Sequence, residues 1–555
     1  MMGADAFIYA QSDGYILARD RIMGRQVAGR GFVQAVLQHP SMSPQFLVPH
    51  PSEIPPLQRF ADDLGLSRKP IAIAASLDDP RIAAAGAISY FDVSKFVEAT
   101  WRRRARGLDI SLLGLTHSIS DPISRTLVGA LARVPTCSHD ALVCTSRAIR
   151  DAALRMIEAE ADDLARRFGG IRPASLPQMP IIPLGIDLPL ATDDARAQLR
   201  AEWRARLGIG TDDAVALFFG RISFHAKAHP LPMYVGLEEA ARGSARRVHL
   251  IQAGWFPNPE IERAFQESAF GLAPSVSHHF LDGRQDDIRT GIWPAADFFV
   301  SLSDTMEESF GLTPIEAMAQ GLPVVLSDWD GYRDSVQNGD QGFLIPTIMP
   351  APNAGAGADI ALLHAEEALD FDSYEGFASL ATAVDVDASA QAFFTLINDP
   401  GLCRQMGAKA YQHAHSNYGW PTILDQHRTL WAELGRQRAA RPDKAAIAPL
   451  PHPLHQDPFW LFAGHAAATL QGHTQLVARR VDRAYIDLIT SQHMNLYGRD
   501  HIAPNPLTAN ILAMFEAGGA TCVAEIEGKF PAADAGMIAL SLGWLLKMGL
   551  IGRKG

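Results

Sequence analysis

Two glutamates, Glu308 and Glu316, stand eight positions apart around the run Ser-Phe-Gly-Leu-Thr-Pro-Ile. An ionised carboxylate only accepts hydrogen bonds, so a pair of them suits a ligand rich in hydroxyls. Between them, Phe310, Gly311 and Leu312 offer backbone N–H groups where a turn enters a helix-like segment, a place that favours phosphate. Upstream, Gly220-Arg-Ile-Ser-Phe-His-Ala-Lys227 follows an apolar run and supplies two cations. Arg221 is a planar fork and Lys227 a point charge, and together they can neutralise a diphosphate. Hydroxyls and phosphates on one molecule describe a sugar nucleotide.

Each of these residues also has a plainer reading. Thr313-Pro-Ile-Glu316 fits a capping box with Pro314 at the first helical position, so capping competes evenly with ligand contact for Glu316. A glutamate such as Glu308 is ordinarily a solvated loop residue. A single Arg or Lys is ordinarily a surface cation, whereas two at the mouth of one βα loop favour binding. The stretch Met23-Gly-Arg-Gln-Val-Ala-Gly29 reads as a glycine-rich loop in which Gly24 can approach a phosphate or an acceptor. It is not the dinucleotide fingerprint. His117 follows a predicted strand and can hydrogen-bond a sugar hydroxyl, although a lone His is more often packed or on the surface.

The elements that must position these groups are short apolar runs alternating with helical stretches. Ala6–Ala10, Ile71–Ala74, Leu112–Leu115 and Ala141–Cys144 read as buried parallel strands, with a helix over Ser146–Phe168. A second series runs through Ala214–Gly220, Val248–Gly254, Asp297–Leu302, Leu322–Leu326 and Gly342–Ile345, with helices over Met233–Arg242 and Pro314–Gln320. Two α/β units in tandem, joined by a Pro-containing linker near Pro183-Leu-Gly-Ile-Asp187, imply a cleft between them. The expected boundaries are 1–190 for the first unit, 205–440 for the second with its closing helices, and 441–458 for a Pro- and His-rich linker. Residues 459–555 form a mainly helical module. Its three short helices, over Leu507–Glu516, Val523–Phe530 and Met537–Leu546, resemble the core of a winged helix.

Composition sets limits on function. The chain has 555 residues, 47% hydrophobic and 20% charged, which is ordinary for a folded multidomain protein. A formal charge of −12 argues against bulk nucleic-acid binding. Cys137, Cys144, Cys403 and Cys522 lack metal-ligand spacing and fit free thiols in a reducing, cytoplasmic compartment. No apolar run is long enough to span a bilayer, and the N-terminus does not read as a signal peptide. Trp101-Arg-Arg-Arg-Ala-Arg106 is a basic cluster of the kind that meets anionic lipid, but a solvated helix face outweighs that reading. Lys529, Lys547, Arg553 and Lys554 form no basic stripe, so the C-terminal module points to a protein partner rather than DNA.

Taken together, Pro294–Ser303, Glu308–Val325 and Gly342–Ile345 resemble the donor half of a family 4 glycosyltransferase. Gly220-Arg221…Lys227 resembles that family's diphosphate clamp, with one residue more than the commonest spacing. Asn417-Tyr-Gly-Trp420 resembles its closing segment. The resemblance covers roughly residues 5–435 in order, specific in the second half and loose in the first. It implies a GT-B fold with two facing Rossmann-like domains, a retaining transferase (EC 2.4) and no required metal or cofactor. By motif, Glu308 would contact donor sugar hydroxyls, Glu316 the ribose, and Arg221, Lys227 and the N–H groups of Phe310–Leu312 the leaving diphosphate. His117 and Gly24 fall in expected places of the first half. Asp330-Gly331 stands beside the donor, where the family usually has paired glycines. The implied acceptor is a glycan, a lipid-linked or a protein-linked hydroxyl, which keeps peripheral contact with the inner membrane face open. Two other readings share these residues: a GT-B sugar-nucleotide epimerase, and a non-catalytic sugar-nucleotide sensor.

Overall fold

The computed structural model describes residues 5–16, 24–66, 70–74, 77, 79–170, 172–173, 175–189, 192–352, 355–441, 449–499, 503–516, 518 and 520–554. Met23 and residues 442–448 of the expected linker lie outside them. These residues form two units, one up to His452 and one from Pro453 on.

The first unit holds two parallel six-stranded sheets. One contains β1 (Phe7–Tyr9), β2 (Gln45–Val48), β3 (Ile71–Ala74), β4 (Ala87–Tyr90), β5 (Ser111–Leu115) and β6 (Ala141–Val143), in the order β3-β2-β1-β4-β5-β6. The other contains β7 (Ala214–Arg221), β8 (Val248–Trp255), β9 (Val276–Asp282), β10 (Phe298–Ser301), β11 (Val324–Ser327) and β12 (Gly342–Ile345), in the order β12-β11-β10-β7-β8-β9. These are the same doubly wound topology twice over. Helices cover both faces, which is why the central strands read as unbroken apolar runs: Leu112, Leu113, Phe298, Phe299 and Val324–Leu326 are all fully buried. Strand order reverses between β1 and β4 and between β7 and β10, and at such a point the loops leaving neighbouring strands part and open a crevice.

Three strands carry no clear sequence signal. β2 opens on Gln45 and β4 contains Ser89. β9, Val-Ser-His-His-Phe-Leu-Asp, is an edge strand whose residues after Val276 are only half buried, so it shows no apolar run. Gly24–Gly29 is a correction of another kind. It is the opening of the helix Gly24–Gln38, not a loop, because Ala28, Phe32, Val33 and Val36 recur at helical spacing and are buried. Gly31 of this helix lets Trp420 pack close: a Cβ there would lie 2.3 Å from the indole Nε1. Trp420 opens the long helix Trp420–Ala439, which crosses from the second sheet back to the first, where Arg438 bonds Gly86 O and Ser111 Oγ.

After β12 the chain forms a two-residue ladder, β13 (Thr347–Ile348) with β14 (Ala383–Val384). Between them an excursion carries the helices Ala356–Ala365 and Phe371–Leu380. Two of the four arginines of the basic cluster are engaged within the fold. Arg103 is buried against Asp140 at 2.5 Å, and Arg104 lies over Trp101 and donates to Pro451 O at 3.2 Å. No helix among the described residues is long and apolar enough to cross a membrane.

The second unit has its own core of Leu476, Ile511, Phe515, Ile526, Leu542 and Leu545. Its helices include Pro506–Glu516, Val523–Lys529 and Ala535–Lys547. Beside them lies a three-stranded antiparallel sheet, in the order β16 (Ala520–Cys522), β15 (Gln475–Ala478), β17 (Ile551–Arg553). The sequence reads as mainly helical here, because strands of three or four residues leave too short a pattern.

Candidate functional site

β7 ends on Arg221 and its neighbour β10 leads to Glu307 and Glu308, so pairing of Phe298 with Ala216 and Phe299 with Leu217 brings cations and carboxylates to one sheet edge. Lys227 follows in the β7 loop, which Ser303 Oγ pins by donating to Lys227 O at 2.8 Å. Each cation meets a carboxylate: Arg221 pairs with Glu307 and Lys227 with Glu308. Arg221 also donates to Ala226 O at 2.9 Å. Glu308 is 9% exposed and accepts from Tyr332 OH at 3.1 Å and from Ser309 N at 3.3 Å. Tyr332 is held in turn by Ser301 Oγ at 2.8 Å. Burial alone would raise the Glu308 carboxyl, but Lys227 and these hydrogen bonds outweigh it and hold it below the usual range. Burial and the Glu308 charge push the Tyr332 phenol well above its ordinary value, so it stays a donor.

Glu316 behaves differently. The expected capping box is absent. The helix runs Leu312–Ala319 with Gly311 before it, and no side chain caps it. Gly311 has φ +88°, and a Cβ there would lie 2.2 Å from Tyr332 Cε1, so only glycine lets the chain enter the helix at Leu312. Thr313 is thereby already inside the helix, and Glu316 is released from any capping duty. Burial pushes its carboxyl up to about 7, with Arg289 opposing and Asp187 adding to the rise. The N–H groups of Phe310, Gly311 and Leu312 donate to no group among the described residues.

A cleft of about 1160 Å³ runs between the two sheets. Arg221, Lys227, Glu308, Phe310–Leu312 and Glu316 line one wall, Gly24 and His117 the other. His117 Nε2 lies 3.1 Å from Phe91 O, and burial holds the imidazole neutral, with its pKa lowered to about 4. Asp330 and Gly331 stand behind this surface. Asp330 takes φ +43°, the left-handed conformation a glycine would adopt freely, and accepts from Ser146 Oγ of the first sheet's side at 3.1 Å. Burial first, and Glu308 second, raise its carboxyl to about 8. Gly331 passes close to the Phe310 backbone: a Cβ would lie 2.6 Å from Phe310 Cα.

Sequence reasoning gave no role of their own to Glu307, Tyr332, Arg289 and Asp187. Glu307 left a signal as the first of two adjacent glutamates, Tyr332 as the residue after Asp330-Gly331 and Asp187 as the end of the linker motif, whereas Arg289 left none. Among the described residues there is no cluster of three or more His, Cys, Asp or Glu able to hold a metal ion.

Residues 200–368 match the family described as "Glycosyl transferases group 1". A D-inositol 3-phosphate glycosyltransferase of Geodermatophilus obscurus is 33% identical over 180 residues, which are 32% of this chain and 38% of that protein. One from Streptomyces bingchenggensis is 28% identical over 332 residues, 55% of this chain and 59% of that protein. The chain thus spans between about two fifths and three fifths of the length of these relatives. Among solved structures, Anabaena Alr3699/HepE in complex with UDP aligns over 78% of this chain and 100% of that one, with 17% identity and a TM-score of 0.48. The two tandem doubly wound sheets are the GT-B arrangement.

Proposed function

We propose that this chain, a member of the group 1 glycosyl transferases, moves a sugar from a nucleotide-diphosphate donor to a hydroxyl acceptor held in the cleft, with retention of configuration. The observation that carries the reading is the self-neutralised clamp: Arg221 and Lys227 meet Glu307 and Glu308 beside the free N–H groups of Phe310–Leu312. A diphosphate offers each cation a new partner and gives the N–H groups an acceptor. Lys227 then releases Glu308 toward the sugar hydroxyls, and Glu316 takes the ribose. His117, neutral and fixed by Phe91 O, stands on the acceptor side with Gly24, while Asp330 and Gly331 set the loop behind Glu308.

In the reaction the bond from C1 to the phosphate oxygen breaks as the acceptor oxygen bonds C1 on the same face, and the acceptor's proton passes to the departing phosphate. Negative charge grows on that phosphate, so fixed cations and backbone dipoles stabilise the transition state more than the ground state. The positive charge comes from Arg221, Lys227 and the helix N-terminus, and no metal is required. The enzyme works in the cytoplasm, where its four cysteines remain free thiols. The unit from Pro453 on serves as a protein-interaction module.

Mass spectrometry of products from a panel of nucleotide sugars tests the reading. The relatives' name makes a phosphorylated cyclitol the first acceptor to offer. Transfer that survives in both Glu308→Ala and Lys227→Ala would refute this assignment of the cleft.

A further inference from the structure

The helix Phe371–Leu380 is inside out. Its buried residues are Glu375 and Ser379, four apart on one face, whereas Phe377 and Leu380 are 47% and 73% exposed. The preceding helix Ala356–Ala365 buries nothing. Polar contacts therefore hold this excursion down. Ser379 Oγ donates to Asp304 Oδ1 at 3.2 Å, and the Arg125 guanidinium sits 4.9 Å from the Tyr374 ring centroid, donating to its hydroxyl at 3.4 Å. Glu375 is fully buried, and neither carboxylate oxygen has a hydrogen-bond partner among the described residues. Leaving such a group unpaired is costly, so it needs an explanation.

Its surroundings supply one. Glu307 and Arg221, the pair at the cleft, both act on Glu375, as does Asp372 from its own helix, while Ser120 is a polar neighbour short of a hydrogen bond. His225 packs at Gly376, Asp304 lies under Ser379, and Arg125 is engaged by Tyr374. Arg221 is thus a nearby cation acting on two carboxyl groups, and Glu307 is its ion-pair partner.

We propose that Glu375 is a positioning residue for donor binding: buried without a hydrogen-bond partner beside the Arg221–Glu307 pair, it becomes the hydrogen-bond partner of Glu307 when the donor's diphosphate draws Arg221 away. The two carboxyl groups then hold one proton between them. This rests on the reading of Arg221 as a diphosphate ligand. Burial, then the Glu307 charge, raise the Glu375 carboxyl to about 8. Below that pH the proton is already present and Arg221 leaves without penalty. Above it Glu375 ionises, both carboxylates claim Arg221, and the donor binds only with uptake of a proton from solvent. Affinity then falls by up to about tenfold per pH unit.

The test is calorimetry of UDP, GDP and ADP binding to the full chain at pH 7 and pH 8.5, in two buffers of different ionisation heat. Wild type takes up about three quarters of a proton more at pH 8.5 than Glu375→Gln, whose amide imitates the protonated acid, and Glu375→Asp restores the uptake. Asp330 and Glu316 are common to all three proteins and cancel in the difference. Equal proton uptake by wild type and Glu375→Gln, with both folded by thermal melt, overturns the proposal. If no nucleoside diphosphate binds wild type at either pH, the clamp reading itself fails and takes this inference with it.

Discussion

Lys227→Ala separates the electrostatics of this cleft from its packing, because the structure contains its own controls. Glu308 and Glu316 are both withdrawn from water, yet the Glu308 carboxyl is held below the usual range and burial raises that of Glu316 to about 7. The difference between them is Lys227 and the hydrogen bonds of Glu308. Without the ammonium, burial should raise the Glu308 carboxyl, opposed only by the hydrogen bonds from Tyr332 and Ser309. Removing one partner of a buried pair typically costs roughly 3–5 kcal/mol, and the remaining hydrogen bonds put this case at the lower end, about 3 kcal/mol. The sign follows from linkage. In wild type the depressed carboxyl contributes stability above the unfolded pKa and loses it as pH falls through the folded value. In the variant the raised carboxyl costs nothing below the unfolded pKa and costs most above the new one. Thermal melting at pH 5 and pH 8 should therefore show a deficit at pH 8, on the order of 3 °C for a unit of this size, that shrinks at pH 5. Adding Glu308→Gln should remove most of it. A deficit equal at both pH values would mean that packing of the lysine stem, not charge, is what Lys227 contributes.

Four further outcomes follow from the same geometry. Gly311→Ala forces φ +88° on alanine and drives a methyl into Tyr332, so it should cost more than the roughly 1–2 kcal/mol of the backbone term alone; chemical unfolding and donor turnover should both register it. Glu316→Gln removes no cap and no hydrogen bond, so melting at pH 8 should be unchanged or improved while donor affinity, read by calorimetry, drops. His139 and His427 are buried, with pKa values lowered to about 4 by burial. The unfolded chain therefore binds more protons between about pH 6.5 and pH 4, and stability should fall over that window by up to about 3 kcal/mol for each; His427→Phe should flatten the denaturant-measured slope. A nucleoside monophosphate has charge for one cation and leaves the other ion pair intact, so UMP should bind at least tenfold more weakly than UDP in a direct titration.

What the sequence made legible was whatever one strand and its following loop carry together. Arg221 and Lys227 leave β7, Glu308 and Glu316 leave β10, and both strands are apolar enough to be read; the fold then places them side by side at the point where strand order reverses. What it hid depends on contacts between distant segments. Glu316 reads as a cap until Tyr332, far along the chain, is seen to require glycine at 311 and thereby to start the helix one residue before Thr313. Gly24 reads as a loop until Trp420 shows why a glycine at 31 belongs inside a helix. Asp330 combines a left-handed conformation with a hydrogen bond from Ser146, 184 positions away along the chain, a partner no local pattern announces. Glu375 is the extreme case, since an acidic residue between Tyr374 and Gly376 reads as solvent-facing, and only the tertiary fold buries it behind Arg221. These hidden contacts concern the charge state of the site. Partly desolvated cations are costly without counter-charges, so the chain supplies Glu307 and Glu308, and the carboxylate that pairs with Lys227 is the one proposed to read the donor's sugar once a diphosphate takes its place.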